Sequence, residues 1–76
     1  MMTPLNVLED ANGHPSGLNG PQRPVGVSRI LDFWTDGGRW WLNEPERIYY
    51  LLELETGNVW EVFKAADVWT LSRISD

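Results

Sequence analysis

All nine aromatic residues of this chain, five of them tryptophan, lie between Phe33 and Trp69. Four of its five prolines, Pro4, Pro15, Pro21 and Pro24, crowd the first 24 residues together with Gly13, Gly17 and Gly20. This division restricts the architecture, because large apolar side chains build a core and proline and glycine interrupt regular elements. We therefore read residues 1–24 as a Pro/Gly-rich leader and residues 25–76 as one small domain. In the leader, a short strand is expected over Leu5–Leu8, then a turn at Asn12-Gly13, where positive φ is tolerated. The rest of the leader reads as loop, and composition leaves it open whether this is a flexible tail or an arm laid on the domain.

From Val25 onward, β-branched and aromatic residues recur in short runs separated by turn residues, which is a strand pattern. A first strand is predicted over Val25–Trp34, with Val25, Val27, Leu31 and Phe33 on one face interrupted by Arg29. Asp36-Gly37-Gly38 is expected to turn the chain, on glycines that accept positive φ, so that Arg39–Leu42 returns alongside. Pro45 then ends that pattern. A second hairpin is predicted from Arg47 to Lys64. A two-residue Thr56-Gly57 loop would mix charge into both faces. A three-residue Glu55-Thr56-Gly57 loop, with Gly57 left-handed, sets Leu52 opposite Trp60 and Tyr50 opposite Val62. Ile48, Tyr50, Leu52, Leu54, Trp60 and Val62 then share a core face, and Tyr49, Leu51, Glu53, Val59, Glu61 and Phe63 the other. A last strand is expected over Trp69–Ile74, with a helical reading of 61–72 as the lesser alternative. The fold class is mainly β: a small antiparallel sheet or open barrel of about five strands.

Size and charge narrow the functions. A chain of 76 residues buries roughly 60% of its unfolded surface, leaving little room for a deep cleft. Cysteine is absent, so disulfides and thiolate metal sites are excluded. Six Lys+Arg against eleven Asp+Glu give a net charge of −5, which opposes binding to a phosphate backbone. No apolar run approaches the roughly 20 residues of a membrane helix, and Met1–Pro4 lacks the basic and apolar regions of a signal peptide. A cytoplasmic location with no membrane association is expected.

Catalytic constellations are weak. His14, the single histidine, lies between Gly13 and Pro15 with no adjacent nucleophile to activate. The pairs Glu53/Glu61 and Glu44/Glu46 lack the cleft that paired-carboxylate chemistry requires. Gly37-Gly38 lacks the strand–loop–helix context of a phosphate cradle. Metal spacings are missing too, so no catalytic, metal or cofactor site is assigned.

Trp40-Trp41 is more informative. If both lie on a strand they point to opposite faces. Trp40 shares parity with Leu42 and is expected inside; Trp41 is expected outside, either covered by the leader or anchoring a partner. The candidate interaction surface is Trp41, Arg39, Tyr49 and Phe63.

Arg23-Pro24-Val25, Trp34 leading to Gly38-Arg39-Trp40-Trp41, Pro45 with Arg47-Ile48-Tyr49-Tyr50, a glycine-turn hairpin ending in Val62-Phe63, and Trp69 with Arg73 and Asp76 together resemble a small bacterial domain family of unknown function. Similar segments end the catalytically inactive Y-family polymerase-like proteins of bacterial mutasomes. The leader, Val7 to Pro15, is similar as well, so the resemblance spans residues 5–76. Members often carry an aromatic before the final Asp, where this chain has Ser75. The resemblance implies an accessory role beside error-prone, translesion DNA synthesis and DNA damage tolerance, and it brings no catalytic residues. The expectation is a non-enzymatic module for protein interaction, with a protein partner or self-association. The alternative is single-stranded nucleic-acid binding through an aromatic face.

Overall fold

The computed structural model describes residues 3–19 and 24–75, the side chains of Thr3, Pro4, Trp40 and Ser75 excepted. The expected inward placement of the Trp40 side chain falls outside the described residues. The chain is mainly β, with strands β1 (Thr3–Leu5), β2 (Val7–Glu9), β3 (Pro15–Asn19), β4 (Pro24–Asp36), β5 (Arg47–Leu54), β6 (Val59–Ala65) and β7 (Val68–Ser75). Neighbours pair antiparallel in the order β1-β7-β6-β5-β4-β3-β2. Only Asn6 separates β1 from β2, yet β1 pairs with β7 and β2 with β3. One N-terminal segment thus joins the two ends of a curled, half-barrel sheet.

The strand count exceeds five because residues 3–19 contribute three strands, two on either side of Asn6 and a third at Pro15–Asn19, where loop was expected. Leu18 of β3 is 1% exposed and belongs to the same buried cluster as Leu52, Leu54 and Val62. Burial of that leucine offsets the low strand propensity of its Pro, Ser, Gly and Asn neighbours. The Asn12-Gly13 turn forms as expected, with Gly13 at φ 81° and its N–H donating to the Asp10 carbonyl at 3.0 Å.

The β5–β6 hairpin matches its predicted register. Leu52 faces Trp60, Tyr50 faces Val62, the Leu54 N–H donates to the Asn58 carbonyl at 2.8 Å, and Gly57 sits at φ 90°. Tyr50, Leu52, Leu54 and Val62 are buried, with Ile48 and Trp60 half-buried against them. β7 follows a tight turn in which Ala66 and Asp67 both take positive φ, 50° and 64°. There is no α-helix at 61–72.

The first predicted hairpin is corrected twice. Arg39–Leu42 does not return as a strand: β4 pairs with β5 itself, Asp36 opposite Arg47, and residues 37–46 form the connection with a 3-10 turn at Trp40–Leu42. Neither Gly37 nor Gly38 has positive φ. Gly38 is needed for another reason, since a Cβ there would lie 2.7 Å from the Pro45 carbonyl oxygen and 2.9 Å from that of Glu44. The second correction concerns the faces of β4. Ser28 and Leu31 are extra residues in bulges, between Val27/Arg29 and Ile30/Asp32. Each bulge reverses the alternation, so the residues opposite Leu54, Leu52 and Tyr50 are Val27, Ile30 and Phe33. Leu31 leaves the core face and is exposed.

Candidate functional site

The sheet has two unlike faces. On the inner face, β3 covers the end near Leu54, and Leu18, Leu52 and Val62 are fully buried. At the other end, where β4 and β5 meet near Thr35 and Ile48, β3 does not extend. Phe33 remains 66% exposed there although its ring stacks on Tyr50 at 6.3 Å. The uncovered end forms a groove of about 420 Å³ lined by His14, Ile30, Phe33, Thr35, Ile48 and Tyr50.

The outer face carries an aromatic ladder. Trp34, Tyr49 and Phe63 lie side by side on β4, β5 and β6, with ring centroids 5.5 Å and then 5.1 Å apart. The Arg47 guanidinium lies 5.1 Å from the Phe63 ring centre and donates to the Tyr49 hydroxyl at 3.5 Å. Phe63, expected at the surface, is buried to 5% exposure, and Tyr49 is half-buried. These rings stabilise the sheet by covering one another, since stacked aromatic pairs contribute about 0.5–1.5 kcal/mol beyond their burial.

Arg39 and Trp41 lie in the 37–46 connection. The Glu44 carboxylate accepts from the Arg39 backbone N–H at 3.1 Å and from Nη2 at 2.7 Å. Arg39 thus closes its own loop. Glu44 is held below its ordinary range by the Arg39 side chain and backbone N–H. Trp41 is 63% exposed and Leu42 55%. The argument that adjacent tryptophans must take opposite faces loses its premise, because the segment is a 3-10 turn and not a strand.

Sequence reasoning missed a polar tie on the inner face. Parity with Val62 places Lys64 inward, where its Nζ donates to Glu9 Oε2 at 2.9 Å and lies 5.6 Å from the Trp69 ring centre. Trp69 Nε1 donates to the same oxygen at 2.8 Å. The bond from Lys64, then that from Trp69, lowers the Glu9 carboxyl below its ordinary value of 4.5, and Glu9 raises Lys64. Continuing the alternation of β6 by two residues would have pointed to Lys64. No local signal identifies Glu9, which lies 55 residues away.

Catalytic arrangements do not assemble from the residues weighed above. Glu53 accepts from Arg29 Nε at 2.8 Å, while Glu61 accepts from Ser72 Oγ at 2.9 Å and meets Arg73 at 3.4 Å. His14 sits 3.9 Å from Asp10 on an exposed turn. Among the described residues no three His, Asp or Glu side chains group to hold a metal ion, and no helix is long and apolar enough to cross a membrane. Five of the eight large apolar side chains exposed among the described residues, Leu31, Phe33, Trp34, Trp41 and Leu42, instead fall within residues 31–42. No family model, curated protein or solved structure matches the chain.

Proposed function

We propose that the chain is a non-enzymatic protein-interaction module whose contact region is the second half of β4 and the loop after it. The observation that carries this reading is the gathering of exposed Leu31, Phe33, Trp34, Trp41 and Leu42 in one short stretch. Phe33 and Trp34 point to opposite faces of β4, so the stretch offers apolar groups on both sides of one strand and on its loop, and tryptophan is favoured at binding hot spots. The resemblance to mutasome polymerase-like C-terminal segments supports placing that interaction beside error-prone DNA synthesis. The net charge of −5 weighs against the nucleic-acid reading.

The test is capture of a binding protein by the immobilised chain, compared with a Trp41→Ser, Leu42→Ser double variant. One protein should be retained by the wild type and lost by the variant, with circular dichroism unchanged. Fluorescence anisotropy with single-stranded DNA should stay flat at micromolar protein and physiological salt. A salt-dependent rise in anisotropy that the double variant abolishes would replace this proposal with the nucleic-acid reading.

A further inference from the structure

β4 changes its pairing partner along its length. Pro24, Val25 and Gly26 pair with β3, while Val27 to Asp36 pair with β5 alone among the described residues. Residues 28–36 therefore present one free edge, and Ile30, Phe33 and Thr35 of that strand line the groove shared with His14. Open backbone donors and acceptors beside an apolar groove are what strand addition uses: the main chain supplies affinity and alternate side chains fill pockets.

Resting on the reading of the chain as an interaction module, we propose that this edge accepts an extended, positively charged segment of a partner protein as an added strand. One apolar side chain of that segment enters the groove between Phe33 and His14. The charge of the occupant follows from the edge itself. Asp32 has no ion-pair partner within 4 Å among the described residues, and Arg29 and Arg39 are already bonded to Glu53 and Glu44. Asp36 lies opposite Arg47, whose charge it feels without a contact inside 4 Å, so Asp32 is the main attraction. Asp32 also guards the edge, since its Oδ1 accepts the Phe33 N–H at 2.8 Å. With the two bulges, this discourages indiscriminate pairing. A lysine or arginine on the incoming segment draws the Asp32 carboxylate away and frees that N–H for a strand carbonyl. A second copy is the poorer occupant: it brings another net charge of −5, and antiparallel self-pairing centred on Asp32 sets carboxylate against carboxylate.

The experiment titrates the full ¹⁵N-labelled chain with three capped synthetic peptides, reading amide shifts and amide exchange. The first is Lys-Val-Thr-Val-Lys-Val, the second replaces both lysines by glutamate, and the third is the lysine peptide with alternate backbone nitrogens methylated. The lysine peptide should give saturable shifts over residues 30–36 and slow the exchange of edge amides. The glutamate peptide should bind at least about tenfold more weakly, and the methylated one should give no strand protection. Phe33→Ser and Asp36→Lys, both at exposed positions, should each weaken the lysine peptide about tenfold or more while the fold is retained. Equal binding of the two charged peptides, or no shift over 28–36 at millimolar peptide, overturns the proposal. So do shifts over 28–36 that depend on protein concentration alone, since the occupant is then a second copy. Shifts confined to Trp41 and Leu42 overturn strand addition but leave the interaction-module reading standing.

Discussion

Strand β5 takes part in two hairpins that differ in almost every respect. Toward β6 its register runs unbroken from Arg47 opposite Ala65 to Glu53 opposite Val59, closed by Glu55-Thr56-Gly57. Toward β4 the same strand meets two bulges and a connection that needs a 3-10 turn, a left-handed Asn43 at φ 58° and the Arg39–Glu44 pair to close. The regular hairpin holds five of the seven buried apolar side chains among the described residues, Tyr50, Leu52, Leu54, Val62 and Phe63. The irregular one holds the exposed Leu31, Phe33, Trp34, Trp41 and Leu42. The buried apolar side chains thereby concentrate on β5 and β6, and the exposed ones on β4 and the loop after it. Bulges and long connections can place apolar groups where a regular ladder would bury them.

The largest expected effect tests that division directly. Leu52, at 0% exposure, should cost about 2–5 kcal/mol when changed to Ala, whereas Leu42→Ser should stay within about 0.5 kcal/mol in urea unfolding. Similar midpoints for the two variants would erase the distinction between the hairpins. Next comes Gly57→Val, which forces a β-branched residue to φ 90° and should destabilise by about 1–3 kcal/mol. An unmoved midpoint would mean that the left-handed glycine does not set the β5–β6 register.

A smaller, stabilising change is expected at the β6–β7 turn. Ala66 and Asp67 both occupy left-handed φ, so Ala66→Asn with Asp67→Gly, the pair favoured in such two-residue turns, should raise stability by about 1 kcal/mol. A lowered midpoint would show that the turn is selected by its surroundings and not by its own backbone preference. The last effect is a dependence on pH. Glu9 is lowered in the folded chain, so its contribution is complete above its ordinary value of 4.5 and is lost as the pH falls through the lowered value. Asp10, lowered by the His14 and Asn12 backbone N–H groups, acts in the same direction below 3.8. Lys64 is raised, so its share is complete below 10.5 and lost as the pH rises beyond it. Thermal melts should therefore fall off at both extremes, and Glu9→Gln should flatten both limbs. Unchanged limbs in that variant would mean that the bonds of Glu9 to Lys64 and Trp69 add nothing to stability.

Local pattern was sufficient for the β5–β6 hairpin, because only the three-residue loop with a left-handed Gly57 brings Ile48, Tyr50, Leu52, Leu54, Trp60 and Val62 onto one apolar face. It was also sufficient for the strand class of the chain and for the Asn12-Gly13 turn. Alternation failed in β4, since a bulge is a relation between two strands and leaves no mark in the composition of one. Phe63 was expected outside because a two-sided strand looks half-exposed; neighbours on β5, Tyr49 and Arg47, bury it. Glu9 and Lys64 meet only because β2 and β6 are brought together by the curl of the sheet. The free edge of β4 and the groove beside it are likewise tertiary facts: they exist because β3 stops pairing at Gly26, while β5 continues to Asp36. Turn chemistry and side-chain period act over a few residues and can be read along the chain. Which strand ends without a neighbour depends on where separate strands meet, and only the folded sheet decides that.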